Sequence, residues 1–162
     1  MSVNERLDVG LLEEDDMEDE DTQEDKFLTF VLNKEEYGIE IRHVTEIIGI
    51  QNITEVPDMP PYIKGVINLR GKVIPVMDVR LRFGMEERPY DDRTCIVVIN
   101  IDEQSVGLIV DRVSEVLDIP ESDIEPPPKV KRGESSRFIE GMGKVDEQVK
   151  ILLNAHQLMF DK

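Results

Sequence analysis

The chain has 162 residues, 40% of them hydrophobic but only 5% aromatic and none tryptophan, so it can bury an aliphatic core of one compact domain or of two very small ones. Its formal net charge is −17, without the basic surface that displaces counterions from nucleic-acid phosphate or holds a protein on an anionic membrane. Its one cysteine, Cys95, excludes an internal disulfide and reads as a buried reduced thiol in the apolar run Cys95-Ile96-Val97-Val98.

Residues 1 to 25 hold twelve Asp or Glu against Arg6 alone, a local net of −11. The run EEDDMEDEDTQED (13 to 25) repels itself and has too little apolar surface to offset ordering, so 1–25 reads as a disordered acidic tail. The start MSVNERLDVG lacks the basic region and apolar run of a secretory signal, and no apolar stretch reaches the roughly 18 residues that span a bilayer. A soluble cytoplasmic protein with no direct membrane insertion is expected.

From Phe27 the pattern becomes short runs of period two. Phe27 to Leu32 leads through a polar turn to Tyr37-Gly38-Ile39-Glu40-Ile41, a strand pair. Arg42 to Ile48 and Asp78 to Phe83 could form short helical turns, the second ended by Gly84. In Gly65-Val66-Ile67-Asn68-Leu69-Arg70-Gly71, alternation places Ile67 and Leu69 inward and Asn68 and Arg70 outward. Gly71 then permits a reversal, and Pro75 suggests an edge or bulged position. Glu125-Pro126-Pro127-Pro128-Lys129 favours an extended exposed loop, and Gly141-Met142-Gly143 a bulge or a close backbone approach in a strand.

An internal repeat organises these runs. A shift of 69 lays residues 27 to 48 over 96 to 117, matching Gly38 with Gly107, Val44 with Val113 and Glu46 with Glu115. A shift of 76 lays 62 to 66 over 138 to 142 and 73 to 77 over 149 to 153. Two copies of one β unit follow, approximately 27–84 and 94–160. Each is too small to bury much core alone, so the two should pack together and share a groove.

No catalytic arrangement stands out. His43 and His156 have no Cys or second His at metal-ligand spacing, and the glycines form neither a Walker loop nor GxGxxG. A binding protein without enzymatic activity, cofactor or metal is therefore expected, with a small-molecule-binding β-barrel as the alternative of another class. For Arg70, two readings stay level on physical grounds: a solvated cation or one paired with an acid such as Glu46, and a planar donor fork on a docking face.

The segments Tyr37-Gly38-Ile39, Val44-Thr45-Glu46-Ile47, Pro61 to Gly71, Ile74 to Arg80 and Val106 to Val113 resemble the CheW family of chemotaxis coupling proteins, over about 26 to 160. The resemblance implies a mainly β fold of two packed SH3-like five-stranded β-barrels with short helices. It implies an adaptor that ties the regulatory domain of the histidine kinase CheA to the cytoplasmic tips of chemoreceptors, recruited to membrane-associated arrays. A coupling module of a non-chemotactic kinase pathway would carry the same motifs. Carried over position by position, the receptor-facing set is Val44, Glu46, Lys64, Gly65, Arg70, Cys95, Gly107, Val113 and Val116, which tilts Arg70 toward docking. Kinase contacts would use barrel-end loops, with Ile124 and Val130 as candidates.

Overall fold

A computed structural model describes residues 24–128 and 137–161. Residues 1–23 of the tail expected over 1–25, and Val130, lie outside the described residues, whereas the Asp25 carbonyl accepts from the Ile119 amide at 2.8 Å and belongs to the folded body. The strands are β1 (Lys26–Leu32), β2 (Glu35–Glu40), β3 (Val44–Gly49), β4 (Ile63–Leu69), β5 (Lys72–Asp78), β6 (Cys95–Ile101), β7 (Gln104–Val110), β8 (Arg112–Asp118), β9 (Ile124–Glu125), β10 (Ile139–Val145) and β11 (Gln148–Leu153). Two short helices, α1 (Val79–Arg82) and α2 (Ala155–Phe160), follow β5 and β11.

The strands form two sheets. The first has the order β8-β1-β2-β11-β10-β9, and the second the order β3-β6-β7-β5-β4. The mainly β, two-barrel expectation is met, with the two-residue β9 added to the first sheet as a sixth strand. The strand registers repeat at the two shifts seen in the sequence. Gly65 faces Val76 as Gly141 faces Leu152, and a register shift precedes each glycine. The parallel contact of Val76 with Gly107 recurs as Leu152 with Gly38. Asp78 caps α1 by accepting from the Leu81 amide, and Asn154 caps α2 by accepting from that of Gln157.

Neither sheet is built from one copy of the repeat. The β1–β2 hairpin pairs with β8 and β11, and the β6–β7 hairpin pairs with β3 and β5. The copies exchange their first hairpins because the connections out of them are short. Only Ile41–His43, a 3-10 turn, separates β2 from β3, and only Asp111 separates β7 from β8, so the chain runs directly from one sheet to the other. The helical turn expected over Arg42 to Ile48 is thus confined to its start. Its remainder, Val-Thr-Glu-Ile-Ile, is β-branched apart from Glu46 and extends as β3.

Alternation along the exchanged hairpins serves two cores. Leu28, Phe30, Val97 and Ile99 face a cluster shared by both sheets, together with Ile39, Leu108, Met77 and Leu153. Phe30, Tyr37, Phe83 and Phe138 run through it in ring contact, centroids 6.1, 5.6 and 5.7 Å apart in succession, the outer two pairs stacked and the middle pair tilted. The opposite faces fill the sheet interiors: Ile96, Val98, Ile67, Ile74, Val76 and Ile109 in the second, Phe27, Ile119 and Leu152 in the first. Cys95 is buried in the shared cluster.

Pro75 departs from expectation, since β5 is a central strand of its sheet. The backbone N–H and C=O of Val66, opposite Pro75, both bond Thr54, so the Val66–Pro75 pair uses no ladder bond on the β4 side. Pairing with β7 begins one residue later, at Val76, and the missing donor therefore costs no ladder bond.

Candidate docking surface

The β4–β5 connection is a two-residue turn in which Arg70 (φ 53) and Gly71 (φ 86) are both left-handed, the form that matches the twist of a hairpin. The Asn68 side chain accepts from the Gly71 amide at 2.8 Å and locks the turn. Arg70 therefore stands in the turn rather than on the outer strand face that alternation suggested, while Ile67 is buried as expected. A register shift between Val44 and Glu46 in β3 sets Thr45 apart, its hydroxyl donating to the Val98 carbonyl at 3.1 Å. Glu46 then receives a hydrogen bond from the Arg70 guanidinium through Nη2 and Oε2.

This contact ties β3, one edge strand of the second sheet, to the turn that follows β4, the other edge strand. The Arg70 side chain remains 69% exposed while Glu46 is 15% exposed, an arrangement in which a half-buried carboxylate aims a solvent-facing fork. Thr45, Glu46, Arg70, Lys72 and Ser105 border a shallow depression of about 350 Å³ beside it.

The other receptor-set residues divide. Val44 and Cys95, each 4% exposed, belong to the shared core, and Val113 and Val116 pack against that core half-buried from β8. Gly107 has no room for a side chain, because a Cβ there would come within 2.7 Å of Ile96 and 3.0 Å of Val76. Gly65, with φ +147, would put a Cβ 2.1 Å from the Thr54 carbonyl oxygen. Val44, Gly65, Cys95 and Gly107 thus hold the backbone beneath the surface and offer no side-chain contact of their own. Lys64 pairs with Glu87 at 2.6 Å, apart from the Arg70 turn. Ile124 sits in β9 beside β10, packed against the first sheet's interior with Phe27, Ile119 and Leu152.

A second polar constellation went unread in the sequence. At the β7–β8 crossing, Arg80 of α1 holds Asp111 through two bonds, Nε to Oδ1 at 2.8 Å and Nη2 to Oδ2 at 3.0 Å. Arg80 also donates to the Glu86 carbonyl at 3.0 Å and to Asn33 Oδ1 at 3.1 Å. The Asn33 amide and Arg88 complete the shell of Asp111 at 2.9 and 3.0 Å. Burial pushes the Asp111 carboxyl up, but the hydrogen bonds from Arg80 and Asn33, with the charges of Arg80 and Arg88, outweigh it and hold its pKa below the ordinary value. Next to it, Asp78 accepts from the Tyr90 hydroxyl at 2.7 Å, and burial followed by that bond raises the phenol's pKa. The signal available in the sequence was the pair of charges, Asp78 and Arg80, at the end of an otherwise apolar strand.

Among the described residues, no group of three or more His, Cys, Asp or Glu is placed to hold a metal ion, and no helix is long and apolar enough to cross a membrane.

Comparison with known proteins points one way. The CheW-like domain family model matches residues 26–161. The chain is 37% identical over 134 residues to the chemotaxis protein CheW of Klebsiella aerogenes, covering 83% of this chain and 81% of that protein. Against the Bacillus subtilis chemotaxis protein CheW it is 36% identical over 135 residues, covering 83% and 86%. The crystal structure of the scaffolding protein TtCheW from Thermoanaerobacter tengcongensis superposes with a TM-score of 0.77 at 41% identity, covering 84% of this chain and 92% of that one. Two exchanged-hairpin sheets around a shared core, with this family match across nearly all the described residues, establish the chain as a member of the CheW family of chemotaxis scaffold proteins.

Proposed function

We propose that this chain is a non-catalytic adaptor that couples the cytoplasmic tips of chemoreceptors to the histidine kinase CheA, binding the kinase through its regulatory domain and residing in the cytoplasm at membrane-associated receptor arrays. Holding both partners at once raises the effective concentration of each near the other, to the order of millimolar for short linkages. Membership of the CheW family supports the reading. The single observation that carries the receptor half is the Arg70 fork, exposed on a locked turn and oriented by Glu46. A cation fixed in direction loses little entropy on docking and discriminates partners by charge. Val113 and Val116 supply apolar area from the first sheet, and Lys64 a further cation. Ile124 and Val130 are the proposed kinase contacts.

The test is titration calorimetry of the chain against a receptor cytoplasmic fragment and, separately, against the CheA regulatory domain. Arg70→Glu faces Glu46 with like charge and is expected to weaken receptor binding at least about tenfold, a loss of about 1.4 kcal/mol, while kinase binding and the far-UV spectrum hold. Unchanged receptor affinity would remove Arg70 from the docking surface.

A further inference from the structure

The charge of the described residues is sorted along the β1–β8 ladder, which runs from Lys26 opposite Asp118 to Val31 opposite Arg112. At its first end, where the chain enters at Glu24, an open depression of about 390 Å³ is bordered by Glu24, Asp25, Glu40, Glu121 and Glu140. Burial and, second, the charge of Glu40 raise the pKa of Glu140 there. At the far end, beyond the β1–β2 hairpin tip, a second depression of about 290 Å³ is bordered by Lys34, Arg88, Arg93 and Arg112. Its two carboxylates are already engaged, Glu36 by Lys150 at 2.9 Å and Asp111 by Arg80 and Arg88. Lys34, Arg93 and Arg112 are exposed, and among the described residues none of them pairs with a carboxylate through its side chain. In a chain of net charge −17, three uncompensated cations around one concavity are an electrostatic exception.

We propose that this basic depression is the docking site of the first part of the chain's own acidic run, residues 13 to 17, with the run folding back along the β1–β8 ladder. Charge complementarity and reach both argue for it. The ladder is about seven residues long, roughly 23 Å at ~3.3 Å per residue. Residues 13 to 17 lie seven to eleven positions before Glu24, which in extended form span roughly 23 to 36 Å. The acidic entry end repels the run and the hairpin end attracts it, so the field along the ladder points in one direction. The tether keeps even a weak ionic contact populated, and a carboxylate-rich segment of another protein must displace the run to use the same face.

The experiment uses the full chain, with a nitroxide attached through Met17→Cys; Cys95 is buried and does not compete for the label. Paramagnetic broadening of backbone amide signals is read at low salt and at 1 M NaCl, where the Debye length is about 3 Å. The expected result is loss of intensity at Asn33, Lys34 and Arg112 at low salt, recovered at high salt and in the triple variant Lys34→Gln/Arg93→Gln/Arg112→Gln. Among the described residues these three side chains hold no ion pair, so the variant is expected to keep its structure, which its own amide spectrum verifies. Broadening confined to residues near Glu24, or broadening at the hairpin that persists in the triple variant, would overturn the proposal.

Discussion

The two sheets share one register and differ in what holds each together. In the second, six buried aliphatic residues fill the interior and Glu46 with Arg70 ties β3 to the β4–β5 turn. In the first, three buried residues do the corresponding work, and fully buried Thr29 stands where the repeat places Val98. The counterparts of Glu46 and Arg70 are Glu115 and Asp146, two acids that cannot latch. The crossings between sheets differ as well. Asp111 is clamped by Arg80 at one, whereas its counterpart Arg42 pairs at 3.0 Å with Glu40 on the surface at the other. A duplicated backbone plan thus tolerates different local chemistry, and the plan persists because both copies contribute to one shared core.

That contrast can be broken hardest at the buried crossing. Arg80→Ala leaves the Asp111 carboxylate buried without its partner and is expected to lower stability by about 3 to 5 kcal/mol, against less than about 1 kcal/mol for Arg42→Ala, in urea melts. The sign with pH follows from Asp111. Its folded pKa lies below the unfolded value, so the contribution is complete above about pH 4 and is lost as pH falls through the folded value. The acid limb of the stability profile should flatten in the Arg80→Ala protein.

Thr29→Val imitates the second sheet's interior in the first. The hydroxyl donates to the Glu115 carbonyl at 2.8 Å and accepts from the Glu115 amide at 3.1 Å, so the substitution strands two backbone groups and should cost about 1 to 3 kcal/mol. A more stable variant would show instead that the first sheet lacks only apolar volume. Smaller still is the latch. Asp146→Arg installs the missing fork opposite Glu115 and should add no more than about 1 kcal/mol, measured by thermal melting in low salt and vanishing in high salt. Last, Glu140→Gln relieves a carboxyl whose folded pKa is raised by burial and by Glu40. The gain should be present at neutral pH and disappear below the ordinary carboxylate range, where both states bind the proton.

Much of the plan was readable because period-two alternation survives duplication. The shifts of 69 and 76 recover the strand registers, bulges and helix caps, and their difference is the longer connection from β8 to β10 compared with that from β3 to β4. The exchange of hairpins was not readable. Alternation says which face of Leu28 or Val97 is buried, but exchanged and unexchanged pairings bury the same faces. What decides is the shortness of the Ile41–His43 and Asp111 connections, a three-dimensional constraint. At the candidate surface, pairing of Arg70 with Glu46 was one of two readings of the run around Asn68. Burial of Cys95 followed from its apolar run, whereas Val44, set among Arg42, His43, Thr45 and Glu46, carried no local mark of the core. The Arg80–Asp111 clamp joins residues 31 positions apart through folding alone: each lies in a segment that carries the family resemblance, but nothing local to either segment pairs the two.

The coupling role is tested most directly by mixing the chain with a CheA regulatory domain and a receptor cytoplasmic hairpin and measuring the mass of the eluting species by light scattering. A single species containing all three proteins is predicted, because the proposed receptor surface at Arg70 lies on the second sheet and the proposed kinase contact Ile124 lies on the first. Mutually exclusive binding, with the receptor fragment releasing the kinase domain, would contradict the account.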